Sequence, residues 1–375
     1  MIEDRSPLCL IVGNYCHDVL IKDDTVIAES LGGAASFISG VLDGFSISST
    51  YVSKVGNDFS YPVTHPPIIC PPSKTTVFHA HFSSEIKRED RVLKRVCACD
   101  PITPSDLPNS HFSFGLAVGV GGEILPETLE KMLDICDIVF VDIQALIRVF
   151  DSVDGTVMLV DLRETGFYRL LPRIRFLKAS ADEAPYVDVE EVRKCCCLVV
   201  TNGKEGCTLY ENDKAQKVAP FPTIQVDPTG AGDGFLGGLV AGIVQGLGVP
   251  EAALLGNFFG SLTVGVIGLP KFDLKLLQRV KDEVQQMRLR CTGCPEDQNG
   301  ELMFVKSLDH EQFRRVLGAA KLTSTNHVQE CQWDLPRSPT AEQSNHSQCS
   351  GQQKSLSSIF YEEVIKSPDD MLGQN

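Results

Sequence analysis

"DPTGAGDGFLGGLVAGI", residues 227–243, sets three glycines and two aspartates ahead of a stretch of small apolar residues. A helix that starts at Gly230–Gly232 leaves its first N–H groups without intrahelical acceptors and aims the positive end of its dipole the same way. Glycine and alanine keep side chains off that end, so phosphate oxygens can approach the backbone, and Pro228 helps fix the preceding turn. Asp233 then needs a reason, because a carboxylate opposes an anion. Taking the proton of a substrate hydroxyl, while the N–H groups of Gly230, Ala231 and Gly232 stabilise a phosphoryl group in transfer, is such a reason. The plainer alternative is a helix N-terminus at which Asp233 only complements the dipole.

Outward from this turn, the chain reads as alternating strands and helices. "LCLIVG" (8–13) is a short apolar run stopped by glycine, the mark of a strand buried on both faces. "VIAESLGGAASFISGVLDG" (26–44) opens a helix on a glycine pair, and "ISSTYVSKVG" (47–56) supplies the next strand. From about residue 112 the alternation resumes with "FGLAVGVGG", a helix near 126–136, "DIVFVDIQ", "VMLVDLR", "IRFLKAS", a helix near 181–194 and "CLVVTNG". Helices near 232–246, 250–267 and 273–289 complete the pattern. Alternation of this kind implies a doubly wound α/β layer around a mainly parallel sheet. Two segments, about 15–30 and 75–99, alternate polar with apolar residues and predict a separate small sheet with one buried face. The proline-dense "YPVTHPPIICPPSK" (61–74) connects into it. The helical pattern weakens over 291–319, and 320–375 is polar and aperiodic, which predicts a largely disordered tail.

Composition narrows the function. A net charge of −15 in 375 residues argues against nucleic acid or an anionic membrane as a partner. The N-terminal "MIEDRSPLCLIVGNY" has no basic leader, and no apolar run is long enough for a membrane span, so a cytoplasmic small-molecule enzyme is expected. Fourteen cysteines are scattered, often in apolar runs such as "KCCCLVV" (194–200), and read as reduced, buried thiols. "CTGC" (291–294) has redox or zinc spacing but no second pair at finger distance. His79 and His81 share one face of a predicted strand, and "NHS" (345–347) matches a glycosylation acceptor. No G-x-x-x-x-G-K-[ST] occurs, and "GVGGEI" (119–124) lacks the last glycine of a dinucleotide fingerprint, so the phosphate site is of another type.

"DPTGAGDGFLGGLVAG" resembles the C-terminal D-T-x-G-A-G-D signature of the ribokinase-like pfkB carbohydrate kinases, with Pro228 at a position where that family often has Thr. "VGNYCHDVL", "GGAASFISG", "SKVGNDF" and "PPSKTTVF" are similar to the family's N-terminal elements. "LKASADEAPYV" (177–187) resembles its N-x-x-E element with Ser180 in place of Asn, and "VTNGKEGCTLY" (200–210) its T-x-G-x-x-G turn. "GNFFGSLTVGVIG" (256–268) resembles its adenine-covering helix. The resemblance spans roughly 8–290. It implies a three-layer α/β/α core with a mainly parallel sheet and a small β-sheet lid.

It also implies roles. Asp233 would be the general base, with Gly230, Ala231 and Gly232 as the anion hole. ATP would be held by Ser180, Thr201, Gly203, Gly206 and Asn257, and Mg²⁺ through water by Glu183. The acceptor would meet Asp18, Gly32, Gly33, Asn57 and Glu123. For Glu123 a solvated loop carboxylate is the alternative, for the 200–210 turn an ordinary hairpin, and for Asn257 a plain core helix. Gln144 and Arg163, at apparent strand ends where open α/β sheets take ligands, are secondary candidates. Four segments, "DIVFVDIQALIR", "LVDLRETGF", "LKASADEA" and "VTNGKEGC", most resemble the branch of the family that phosphorylates myo-inositol at the 3-position. Fructose, ribose or a nucleoside as acceptor, and a noncatalytic scaffold of the same fold, are the competing expectations.

Overall fold

The structure, a computed structural model, describes residues 9–82, 91–291 and 304–331. The asparagine of "NHS", the last three residues of "CTGC" and the tail beyond 331 lie outside these. Residues 1–329 cluster as one unit; of a second, 330–375, only the end of the last helix is described.

The chain opens with β1 (Cys9–Val12), the antiparallel pair β2 (Cys16–Lys22) and β3 (Thr25–Gly32), helix α1 (Ala34–Gly44) and β4 (Ser49–Val52). Short strands β5 (Lys54–Val55) and β6 (Ile68–Ile69) pair with each other, β6 lying within the proline-rich connector. After β7 (Thr76–Phe82) and β8 (Val92–Cys97) come β9 (Phe112–Ala117), α2 (Pro126–Ile135), β10 (Cys136–Asp142), α3 (Gln144–Ile147), β11 (Arg148–Phe150) and β12 (Val157–Leu159). The rest is β13 (Phe176–Ser180), α4 (Val189–Cys195), β14 (Cys197–Thr201), β15 (Cys207–Glu211), β16 (Lys214–Val218), α5 (Ala231–Val244), α6 (Val249–Thr263), α7 (Leu274–Cys291) and α8 (His310–Cys331).

Eight strands form the central sheet in the order β16-β15-β14-β13-β10-β9-β1-β4. From β4 to β14 every pairing is parallel, and β15 and β16 add an antiparallel edge. The inner strands β1, β9, β10, β13 and β14 are mostly apolar because both faces of the sheet are covered. On β1, Cys9 and Ile11 pack into one core and Leu10 and Val12 into the other. The two-residue period of a strand thus sorts neighbours into separate layers. One layer holds α1, α5, α6 and α7, the other α2 and α4. Helix α5 is buried nearly all round, and its glycines let α6 come close: a Cβ on Gly238 would stand 2.7 Å from the Leu255 carbonyl oxygen.

The second sheet, β3-β2-β7-β8, is the expected small lid. On β7, Phe78 and Ala80 are buried, while His79 and His81 alternate onto the other face. Three expectations need correction. "VMLVDLR" contributes β12, but this strand pairs antiparallel with β11 and stays out of the central sheet. The helix expected over 181–194 is a short turn at Ala184–Tyr186 followed by α4, because Pro185 and the capping side chain of Asp188 restart it. Residues 320–331 belong to α8, whose Phe313 and Leu317 are fully buried against the first core. Among the described residues no helix is long and apolar enough to cross a membrane.

Candidate functional site

The start of α5 carries the phosphate-type turn. Asp227 accepts the Thr229 N–H at 2.9 Å, and Gly230 takes φ 73°, a left-handed conformation that suits glycine. A Cβ on Gly230 would also fall 2.1 Å from the Phe37 ring of α1, so space and conformation demand the same residue. The end of the helix is bare of side-chain caps. The Ala231 N–H reaches the Pro228 carbonyl at 3.3 Å, and Gly234 makes the bond to Gly230 expected of a first helical turn. Gly232 has a reason beyond ligand approach: its Cβ would lie 2.8 Å from Lys178 Nζ.

Asp233 lines a cavity between this turn and the lid, together with Asp18, Gly33, Gln144 and Gly230. The apolar part of the wall includes Phe37, Phe78 and Leu93. Gln144 Nε2 donates to Asp233 Oδ1 at 3.4 Å. Burial raises the Asp233 carboxyl above the usual carboxylate range, against the pull of Lys178, Arg148 and Arg91. Burial likewise pushes Asp18 up to about 7, with Arg91 opposing it. Gly32 makes room for Asp18, since a Cβ there would meet that carboxyl at 2.1 Å. Gly33, at φ 87°, starts α1, and a Cβ on it would collide with the Asn14 carbonyl at 2.3 Å.

Two expected acceptor contacts are placed otherwise. Glu123 is neither solvated nor free, because its carboxylate accepts the N–H groups of Asn14 at 2.9 Å, Val120 at 3.1 Å and Gly121 at 2.7 Å. It holds the 119–124 loop against the end of β1. Asn57 sits exposed in a turn and does not line the cavity. That turn is tied down by Asp58, which accepts both the N–H and the hydroxyl of Thr75 at 2.8 Å. Arg163 also stays outside: it is paired with Asp161 at 2.8 Å on the surface, a consequence of β12 not ending at the ligand edge of the sheet.

At the neighbouring strand ends, Ser180 and Glu183 cap each other: Ser180 N–H donates to Glu183 at 2.8 Å, and Glu183 N–H to the Ser180 hydroxyl at 3.2 Å. Thr201 stands beside Ser180 in the β13–β14 register. Gly203 and Gly206 form the hairpin turn at φ 54° and 87°. Asn257 is buried on α6, and its Nδ2 donates to the Val218 and Ala219 carbonyls at 3.2 and 2.9 Å, tying α6 to the end of β16.

Sequence reasoning missed the cations. Arg91, just before β8, and Arg148, at the start of β11, both line the cavity. Lys178, buried on β13, pairs with Asp142 at 3.0 Å. Lys178 helps hold the Glu183 carboxyl below its usual value, and Asp142, by burial, is pushed up to about 6. Lys178 stands in "LKAS", two residues before Ser180, and only its position next to Gly232 reveals its part.

Among the described residues no three acidic, histidine or cysteine side chains gather as a metal cluster. A magnesium ion that keeps most of its water and relies on phosphate oxygens would need no such cluster.

Similarity to known proteins agrees with this geometry. The model of the "pfkB family carbohydrate kinase" matches residues 169–271. The chain is 61% identical over 317 residues to inositol 3-kinase of Arabidopsis thaliana, covering 84% of this chain and 87% of that protein. It is 50% identical over 327 residues to inositol 3-kinase of Oryza sativa subsp. japonica, covering 84% and 82%. Among solved structures, it matches a pyrophosphate-dependent kinase of the ribokinase family complexed with a pyrophosphate analogue and myo-inositol at TM-score 0.60 and 17% identity, covering 70% of this chain and 97% of that one. Fructokinase of Vibrio cholerae O395 matches at TM-score 0.55 and 17% identity, covering 71% and 95%. At these identities the structures speak for the fold.

Proposed function

Because the chain belongs to the pfkB family of carbohydrate kinases, we propose that it transfers the terminal phosphoryl group of ATP to a hydroxyl of myo-inositol, giving myo-inositol 3-phosphate. The observation that carries the reading is the position of Asp233: a carboxyl with a raised pKa at the bare start of α5, in one cavity with Asp18.

In this account the polyol lies between the lid and the central sheet. Asp18 and the Gly33 backbone orient it. Asp233 takes the proton of the attacking hydroxyl as its oxygen bonds to phosphorus, and the bond to the leaving ADP breaks. The 230–232 backbone faces the transferring group, where N–H donors act on charge as it develops. Magnesium, when bound, would neutralise phosphate charge. Lys178 keeps Asp142 ion-paired beneath this turn. Phe78 and Leu93 on the lid side keep water from competing with the polyol. An uncharged polyol is recognised by matched hydrogen bonds, and each buried group left unmatched costs about 1–3 kcal/mol.

The test is ADP release with Mg·ATP across myo-inositol, fructose, ribose and adenosine, with the product's position fixed by phosphorus and proton NMR. Turnover concentrated on myo-inositol with phosphate at the 3-position is the expected result. Preference for any other acceptor would overturn the substrate while leaving a kinase.

A further inference from the structure

The β7–β8 half of the lid joins the body through two crossings of the chain, one entering β7 from the turn at 70–75 and one leaving β8 through 98–102. Each crossing is anchored to the body. The Cys70 N–H donates to the Val55 carbonyl and the Ile102 N–H to the Glu123 carbonyl, both at 2.8 Å. The two crossings also bind each other, because the Ser73 hydroxyl donates to Asp100 at 2.5 Å and the Cys99 N–H to the Thr76 hydroxyl at 3.0 Å. Cys70 on one crossing and Cys99 on the other are thereby brought within side-chain hydrogen-bonding reach. Both are free thiols; Cys99 is buried, and Cys70 is half-buried, within reach of solvent. Burial pushes the Cys99 thiol up to about 12, with Cys70 adding to the effect. Cys97 is engaged elsewhere, donating its thiol hydrogen to the Thr75 carbonyl at 3.1 Å. One thiol open to attack an oxidant and a shielded one beside it to resolve the product make a redox pair.

We propose that Cys70 and Cys99 are a dithiol modification site, which reacts with a small-molecule disulfide of the glutathione type and closes into an internal disulfide that fastens the two lid crossings together. The Cys70 thiolate attacks one sulfur of oxidised glutathione; that S–S bond breaks, one glutathione leaves as the thiol, and the other stays on Cys70. The Cys99 sulfur then attacks the Cys70 sulfur, the Cys70–Cys99 bond forms, and the second glutathione leaves with the Cys99 proton. One oxidised glutathione is reduced to two thiols as the two cysteines are oxidised. Because Cys99 is held as a thiol, closure quickens as pH rises. The bond lies at the base of the segment that carries Phe78 and Leu93 over the cavity. Restricting such a base changes kcat and KM together, so the reduced protein is the faster enzyme. The inference goes beyond the kinase reading, since the bond forms whatever the acceptor.

The experiment equilibrates the full-length protein with mixtures of reduced and oxidised glutathione, quenches it with an alkylating agent and maps the linked peptides by mass spectrometry, with turnover and thermal melting measured alongside. Oxidised wild type should yield a peptide pair joined through Cys70 and Cys99. Its melting temperature should rise by several degrees, because the cross-link closes a loop in the unfolded chain. Turnover should fall severalfold and return on adding dithiothreitol. Cys70→Ser should match reduced wild type in turnover and stay insensitive to oxidised glutathione; Cys99→Ser should stop with glutathione on Cys70. If Cys99→Ser does not fold, wild type beside Cys70→Ser decides alone. Glutathione remaining on Cys70 of wild type at equilibrium, linkage of Cys70 to Cys97, a closed bond with unchanged turnover, or equal inactivation of Cys70→Ser would each overturn the proposal. If wild type uses another acceptor, the substrate reading fails, while the linked peptides and turnover on that acceptor still decide the role of the pair.

Discussion

Asp18 is forced into the cavity wall by the missing side chain of Gly32, and burial holds its pKa near 7. An unfolded aspartate titrates near about 3.9, so between these values the native state holds a proton that the unfolded state has released. The stabilisation is complete below the unfolded value and is lost as pH rises through about 7. Asp18→Asn should therefore raise the melting temperature by several degrees at pH 8 and change it little below about pH 4, while weakening acceptor binding. An equal gain at both pH values in calorimetry would contradict the buried-charge account. At this scale the sequence was readable where backbone geometry dictates the residue. Gly33 and Gly230 stand at positive φ against close neighbours, and a turn so bare announces itself. Arg91 and Arg148 were not readable. Arg91 lies in "KREDRVLKR", which looks like a solvated charged strand until the fold turns one guanidinium inward. Glu123 misled for the complementary reason: a loop carboxylate gives no sign in sequence that three backbone N–H groups converge on it.

The apolar strands and glycine-rich helices declare themselves through period and length, and the six parallel strands of the centre follow from them. Elements that depend on distant partners do not. Strand β12 has the composition of a central strand but pairs with β11. Helix α8 was hidden in a polar stretch because its buried face is spaced out among polar residues, at His310, Phe313, Leu317 and Ala320. Lys321, further along the same helix, donates to the Pro222 carbonyl and the Ser261 hydroxyl, each at 2.8 Å, which fastens α8 to α6 and to the segment leading to the phosphate turn. The helix is thus part of the folded body. Phe313→Ala should cost about 3–5 kcal/mol in urea unfolding, the range for removing a fully buried aromatic side chain. A cost under about 1 kcal/mol would place the helix on the surface.

Taken whole, the molecule joins a parallel sheet, beside which the first turn of α5 brings Asp233, to a lid that brings Asp18 and Arg91. The cavity is lined from both parts. Against a net charge of −15, the two arginines that line this cleft, Arg91 and Arg148, with Lys178 buried next to Gly232, stand out from the molecule as a whole. A site so arranged is suited to a charged donor and an uncharged acceptor.

The measurement that bears most directly on this account is the single-turnover rate of phosphoryl transfer from Mg·ATP to saturating myo-inositol, for wild type beside Asp233→Asn. Asparagine keeps the shape and cannot take the proton. A rate lower by about 10²–10⁴-fold, with ATP and myo-inositol still bound, is the predicted result for loss of a general base. Transfer by Asp233→Asn within about threefold of wild type would contradict it, because Asp233 would then only complement the helix end.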